Sequence, residues 1–310
     1  PAVELVAVTA NEAAGRPLAD LHPHLGGVGL TLGALDDVAD AETVFLALPN
    51  GEAMTVIDRF GDRAIVDTSA DFRLRDAATF AEYYHAEHTA FDRVPDFTYG
   101  QPELFRSRLR EARHIAAPGC FATALLVSLA PVVDRGLAGS IVVTAVTGSS
   151  GSGARPKAQA HHPFRADGYF AYSPLTHRHV PEVRQALADA TGRDVAFVFQ
   201  PHSGPFVRGI FSTAVIALDA PASKDDLEAI FRDFYRGERF VRIVDHSPNI
   251  KWVRGTNFCD IAVASDGRTA VVTAAIDNLL RGAASQAIQA FNIRNGFDES
   301  AGIAGFGANP

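Results

Sequence analysis

Short apolar runs alternate with amphipathic or polar segments through the first third of the chain, and that alternation narrows the fold more than any other feature. Glu4–Val8, Leu30–Leu32, Val44–Leu48 and Ala64–Asp67 read as strands, with helices over Gly51–Phe60 and Asp76–Tyr84 between them. Strand and helix in turn give an α/β layer with a largely parallel sheet. Leu48-Pro49-Asn50-Gly51 closes one strand with turn chemistry, at the edge where such sheets take their ligands. A chain of 310 residues exceeds one ordinary core, so a second domain is expected. The chain opens at Pro1 directly on Val3–Val8, and an interior strand in that position leads us to expect a further N-terminal element ahead of it.

The second part has a different rhythm. Ile141–Thr147 reads as a strand running into Gly148-Ser149-Ser150-Gly151-Ser152-Gly153-Ala154, which has the composition of a flexible loop. From Arg155 to His179 the chain is polar, rich in histidine and without periodicity. Long irregular segments inside compact domains tend to be functional. Pro181–Ala190 has helical spacing, while Val195–Phe199, Phe206–Leu218 and Thr269–Ala275 read as strands, several alternating as a half-exposed antiparallel sheet does. Ser223 is an N-cap for a helix ending near Tyr235, and Arg281–Ile293 reads as a last helix. An α+β domain therefore follows the α/β layer.

Chemistry is concentrated in a few places. In His114-Ile115-Ala116-Ala117-Pro118-Gly119-Cys120-Phe121-Ala122-Thr123 a strand-like approach meets a Pro-Gly break, and a cysteine opens an apolar helix that runs through Ala124–Val133. The macrodipole and the unpaired N–H groups of a first turn favour thiolate, the nucleophilic form. A small buried thiol capping an apolar helix accounts for the same residues. His161, His162, His177, His179 and His202 crowd the region after the Gly/Ser loop. In extended geometry the imidazoles of His177-Arg178-His179 share one face, so both can enter one cavity, the alternative being two solvated loop histidines. No ligand set of metal spacing accompanies them, and no metal is expected. Cys259, after Asn257-Phe258, reads as packing. Arg73, Arg75, Arg208 and Arg254 are anion binders by type, although each alone is more often a surface or ion-paired residue.

The balance of charge excludes some partners. A net charge of −8 and a pI near 5.7 argue against a binder that tracks nucleic-acid phosphates. No run reaches the ~18 apolar residues of a membrane span, and no export signal opens the chain. Two cysteines that form no framework point to a reducing, cytoplasmic setting.

Several motifs occur together in one order: Leu46-Ala47-Leu48-Pro49-Asn50-Gly51, Asp67-Thr68-Ser69-Ala70-Asp71-Phe72-Arg73, Tyr99-Gly100-Gln101-Pro102-Glu103-Leu104 and Pro118-Gly119-Cys120-Phe121-Ala122-Thr123. His177-Arg178-His179, Arg254-Gly255-Thr256-Asn257-Phe258-Cys259-Asp260 and Ile276-Asp277-Asn278-Leu279-Leu280-Arg281-Gly282-Ala283-Ala284 follow. On these the chain resembles the N-acetyl-gamma-glutamyl-phosphate reductases, the NADPH-linked acyl-phosphate reductases of arginine biosynthesis, over nearly its whole length. The resemblance implies an α/β protein with a Rossmann-like parallel-sheet cofactor domain over residues 1–119 and an α+β catalytic and dimerisation domain over 120–280. A C-terminal helix within 281–310 would return to the first domain. It implies Cys120 as the nucleophile and one histidine of the pair, here His179, as acid and base. Ser149 and His177 are expected at the substrate, with Arg208 added on charge alone for its phosphate or carboxylate. Thr9, Pro49, Ser69, Asn278 and Gly282 are expected near NADP. A homo-oligomer of two or four copies is implied, acting on a small acyl phosphate.

Two departures stand beside the resemblance. No Gly-x-x-Gly-x-x-Gly loop precedes Val3–Val8, the loop whose N–H groups hold a pyrophosphate. After Val8 the chain reads Thr9-Ala10-Asn11-Glu12-Ala13-Ala14-Gly15, where the family offers serine and arginine to a 2′-phosphate; Glu12 pointing inward would repel that group, so NAD stays open as the lesser alternative to NADPH. His161-His162-Pro163 and Gly296-Phe297-Asp298-Glu299-Ser300 are also similar to carrier-linked 2-aminoadipate 6-phosphate reductases of lysine biosynthesis. A catalytically silent dinucleotide-binding scaffold is the alternative outside enzymes.

Overall fold

The computed structural model describes residues 3–10, 12–35, 37, 38, 41–153 and 156–306; Pro1, Asn11, Ala154 and Arg155 of the stretches read above lie outside the described residues. Three sheets organise the chain. β1 (Val8–Thr9) and β2 (Leu32–Gly33) form a small parallel ladder. β3 (Thr43–Leu46), β4 (Ala64–Asp67), β5 (Phe97–Tyr99) and β6 (His114–Ala116) form a four-stranded parallel sheet in the order β3-β4-β6-β5. The third sheet contains β7 (Ala138–Thr147), β8 (Phe170–Ala171), β9 (Phe197–Ser203), β10 (Ile210–Ala222), β11 (Val241–Ile243), β12 (Cys259–Ser265) and β13 (Gly267–Ile276). Its order is β11-β12-β13-β10-β7-β9-β8, with antiparallel pairing throughout except β7 with β9 and β11 with β12.

The first strand differs from the expectation. Only Val8–Thr9 pairs, and the ladder stands apart from the four-stranded sheet. Val3, Leu5 and Val6 are 53%, 60% and 47% exposed, so the run is not an interior strand here. An apolar run becomes an interior strand only when neighbours cover both its edges and its faces. β4 has that cover. All four of its residues are buried: Ala64-Ile65-Val66 is the apolar run that a covered parallel strand requires, and Asp67 closes it at the carboxyl end.

The helix Cys120–Asp134 is the centre of the second core. Phe121 through Val133 are all buried, and a helix apolar on every side must lie inside. It packs with the inward residues of the large sheet, such as Ile141 and Val143 of β7 and Ala214 and Ile216 of β10, and with Val183 and Leu187 of the helix His179–Thr191. Pro131 lies within it and has no N–H for the Val127 carbonyl. The Tyr235 hydroxyl donates to that carbonyl at 2.8 Å, so the missing backbone bond is replaced from another element.

The last helix, Ser285–Arg294, faces two ways. Ala287, Ala290, Phe291 and Ile293 join Val66 of β4 and Ile115 of β6 in one apolar cluster. Its buried amides bond elsewhere: Gln286 donates to Gln101 at 2.7 Å, and Asn257 donates to Gln289 at 2.9 Å. Just before it, the Arg281 guanidinium is fully buried against the Glu103 carboxylate. A buried polar joint of this kind, with both terminal nitrogens of Arg281 bonded, favours one docking geometry.

Candidate active site

The site is built where the parallel sheet hands over to the Cys120 helix. After β6, Ala117-Pro118-Gly119 turns the chain, and Cys120 is the first helical residue. Gly119 is the N-cap and has no side chain to cap with. Its own N–H donates to Glu182 Oε1 at 2.8 Å. Glu182 lies one turn beyond His179 on the same helix, a spacing that puts both on one side. Its buried carboxylate also accepts from the Tyr99 hydroxyl at 2.7 Å and pairs with Arg73 at 3.4 Å. One carboxylate thus pins the histidine helix to the start of the cysteine helix. Neither Glu182, Tyr99 nor Arg73 was singled out for this role from sequence; the His179–Glu182 spacing was the signal available.

His179 rests directly on Gly119. A Cβ there would lie 2.7 and 2.8 Å from the imidazole Cε1 and Cδ2, and nearer still to Nε2. Only glycine leaves the ring its place. The His179 N–H donates to His177 Nδ1 at 3.2 Å, which makes that nitrogen the acceptor and leaves the proton of neutral His177 on Nε2. The two rings meet edge to face at 4.7 Å, with Phe121 and Phe199 at 5.4 and 5.3 Å from His177. Burial, with Arg178 adding to it, pushes His177 down to about 4. Burial, then His177, Arg73 and Arg178, hold His179 well below its ordinary value.

Gly282 closes the other side. A Cβ there would come within 2.7 Å of Cys120 Cβ, so the chain touches the cysteine through glycine. The turn Leu280–Ala284 is widened, with Gly282 N–H donating to Asp277 O at 2.9 Å and Ala284 N–H to Leu279 O at 3.0 Å. Such bulges gather at functional sites. The Asp277 carboxylate caps this turn, accepting from the N–H groups of Leu279 and Leu280 at 2.9 and 3.0 Å. Asn278 accepts from Gly209 N–H at 2.7 Å and donates to Ser150 Oγ at 3.0 Å, tying two loops together.

A cavity of about 720 Å³ opens in front of these groups. Cys120, Ser149, His177 and His179 all line it, as do Thr147, Lys157, Arg165, Tyr172 and Arg178. Thr9, Pro49, Ser69, Asn278, Gly282 and Arg208 are not among its lining residues. Arg208 is held by Asp277 at 2.7 Å, so its charge is already met within the fold. Opposing influences act on the Cys120 thiol at the helix mouth. Burial raises the thiol above its ordinary value, against the opposing pull of the Phe121 N–H and the Arg73 and Arg178 guanidiniums. Cys259 is fully buried in the core and is likewise pushed up by burial. Among the described residues, no three His, Cys, Asp or Glu side chains converge as a metal site would.

In a parallel α/β sheet a dinucleotide lies at the carboxyl ends of the strands. Gly51, just past β3, has φ +88°, and a Cβ there would meet nothing nearer than Met54 Cε at 4.0 Å. The backbone is open to close approach, beside the exposed Pro49 and the buried Ser69 after β4. These residues fit such a group.

Comparison with known proteins agrees with this layout. The semialdehyde dehydrogenase NAD binding domain matches residues 1–112, and the semialdehyde dehydrogenase dimerisation domain matches residues 120–278. The chain belongs to the semialdehyde dehydrogenase family, and it is a nicotinamide-dependent oxidoreductase. Among curated relatives it is similar to the N-acetyl-gamma-glutamyl-phosphate reductase of Pelotomaculum thermopropionicum, 40% identical over 322 residues, covering 100% of this chain and 93% of the relative. The enzyme of that name from Methanopyrus kandleri is 39% identical over 322 residues, covering 100% and 93%. A relative from Pyrobaculum aerophilum, provisionally named a LysW-L-2-aminoadipate/LysW-L-glutamate phosphate reductase, is 39% identical over 318 residues, covering 97% and 91%. Among solved structures, the fold is similar to aspartate semialdehyde dehydrogenase with NADP from Candida albicans, with a TM-score of 0.71, 14% identity, and coverage of 95% and 93%.

Proposed function

We propose that the chain reduces N-acetyl-gamma-glutamyl phosphate to N-acetylglutamate semialdehyde, with NADPH as reductant and a thioester on Cys120 as intermediate. The observation that carries this reading is the convergence of Cys120 and His179 on Gly119, beside one cavity. Cys120 Sγ attacks the acyl carbon, the C–O bond to phosphate breaks, and the thiol proton passes to the imidazole. A resting thiol beside a neutral imidazole suits that order, because the proton is transferred as the nucleophile forms. When bound, a nicotinamide supplies the hydride that reduces the thioester. The histidine, a poor holder of a proton in this buried setting, gives it to the new alkoxide. On collapse the imidazole recovers the hydroxyl proton and returns it to the departing sulfur. First-turn N–H groups of the Cys120 helix are donors for the oxyanion.

The cofactor would be held by Thr9, Pro49 and Ser69, with Asn278 and Gly282 positioning the turn behind Cys120. We assign residues 1–119 to cofactor binding, 120–280 to substrate and subunit association, and the last helix to the first domain. A homo-oligomer is supported by the outer face of the large sheet, where Val142, Val198 and Val215 lie side by side and are 43%, 45% and 42% exposed. No helix among the described residues is long and apolar enough to cross a membrane, and the reading is of a cytoplasmic enzyme. The Pyrobaculum relative is nearly as similar as the arginine-type ones and keeps aminoadipate chemistry as the second reading. Steady-state oxidation of N-acetylglutamate semialdehyde and of its carrier-linked aminoadipate counterpart, each with phosphate and NADP or NAD, decides between them. Faster turnover of the aminoadipate substrate would overturn the first reading.

A further inference from the structure

The cavity contains a cation that has no counter-charge among the described residues. Arg165 ends the short helix His162–Arg165 and is only 9% exposed. Its Nη2 donates to the Gly204 carbonyl, while Nε and Nη1 are buried with no hydrogen-bond partner. No carboxylate among the described residues pairs with it, and the Phe170 ring lies 5.8 Å from the guanidinium carbon. Thr147 is a second, independent case at the same place. It is 6% exposed, lines the same cavity, and its hydroxyl has no partner. The two meet at Gly204, whose N–H donates to Thr147 O at 2.9 Å and whose carbonyl takes the arginine. Unpaired buried donors are costly to a fold, and a planar guanidinium with free N–H groups matches the oxygens of phosphate or carboxylate.

We propose that Arg165 and the Thr147 hydroxyl form the anion-receiving corner of the Cys120 cavity, and bind a phosphate or carboxylate oxygen of the substrate. This deepens the acyl-phosphate reading, on which the identity of the anion rests, and assigns to Arg165 the part that charge alone had suggested for Arg208. Arg165 is a binding residue and takes no part in proton transfer.

The test reads binding without turnover. Cys120 is alkylated with iodoacetamide, followed by peptide mass, in the presence of inorganic phosphate or of glutarate, a simple dicarboxylate. At least one anion is expected to slow alkylation of the parent protein, and the anion that does so names the group bound. Arg165→Met should raise the protecting concentration roughly 10- to 100-fold, with Arg165→Lys between, since lysine keeps the charge and loses the fork. Thr147→Val, nearly isosteric on a strand, should raise it several-fold and stands in should an arginine variant fail to fold. The melting temperature separates the alternatives: Arg165 has no charge partner among the described residues, so Arg165→Met should melt as high as the parent or higher. No protection by either anion, or equal protection in Arg165→Met and Thr147→Val, overturns the proposal. If the parent turns over neither semialdehyde yet shows Arg165-dependent protection, the substrate reading falls and the anion site stands.

Discussion

Replacing Gly119 tests the central geometry with one methyl group. Gly119 has φ −69° and ψ 153°, a conformation open to any residue, so Gly119→Ala adds no backbone strain. All of its effect comes from the new Cβ, 2.7 Å from His179 Cε1 and 2.8 Å from Cδ2. Carbon atoms pack best at about 3.5–4.0 Å, so the ring must retreat by roughly 1 Å. Retreat is opposed by His177, packed edge to face at 4.7 Å, and by the helix anchored through Glu182. A displacement of about 1 Å in a catalytic group costs on the order of 100-fold in rate, which is roughly 2.7 kcal/mol at 1.36 kcal/mol per decade. Overpacking should lower stability by about 1–3 kcal/mol, so a folded variant is expected. The assay is single-turnover reduction of the acyl phosphate across pH, with circular dichroism as the folding control. The predicted signature is a slow chemical step with alkylation of Cys120 little changed. A folded Gly119→Ala enzyme within about twofold of the parent rate would refute the placement of His179 over this backbone.

Two further outcomes follow from the buried titrating groups. Because the Cys120 thiol is held above its ordinary value by burial, its alkylation rate should keep climbing about tenfold per pH unit past pH 8; a plateau below pH 8 would show a preformed thiolate instead. Asp67 is buried and desolvation lifts it from 3.8 to about 7, against the opposing hydrogen bonds of Ser69 and the charge of Arg73. Its folded pKa lies above its unfolded one, so its contribution to stability is complete below pH 4 and is lost as pH rises through about 7. Asp67→Asn cannot ionise, and should melt higher than the parent above pH 7, by up to about 4 kcal/mol of stability. Melting curves with the same pH dependence in both proteins would remove Asp67 from the account.

Legibility in the sequence tracked how local the determining physics was. Ala64–Asp67 is read to the residue because burial on both faces leaves the apolar run Ala64-Ile65-Val66, which Asp67 ends. The Ser223 cap is legible too: its hydroxyl and Asp226 form a reciprocal pair three residues apart. Phe97–Tyr99 escaped notice because three residues show no period, and Pro102–Arg110 is interrupted at Phe105, where φ is −130°. Val3–Val8 looked like an interior strand because an apolar pattern carries no information on whether neighbours exist to cover it. At the site, the motif residues Cys120 and His179 stood out, but their surroundings did not. Arg208 and Arg165 are equivalent as letters. What separates them is Asp277, 69 residues from the first and pairing it, while no carboxylate among the described residues pairs with the second.

The polar joint between the last helix and the rest of the chain also sets a timetable. Thr123 bonds to Gln286 across 163 residues, Glu103 to Arg281 across 178, and Gln101 to Gln286 across 185. Contacts of such long sequence separation form late. As the chain leaves the ribosome, the cysteine emerges well before the glycine that packs against it. Until residues near 282 arrive, the thiol sits in an unfinished wall, exposed to oxidants and cellular electrophiles. Speed in completing the final helix therefore guards the nucleophile, and a chain truncated before that helix should be the form most readily lost to oxidation.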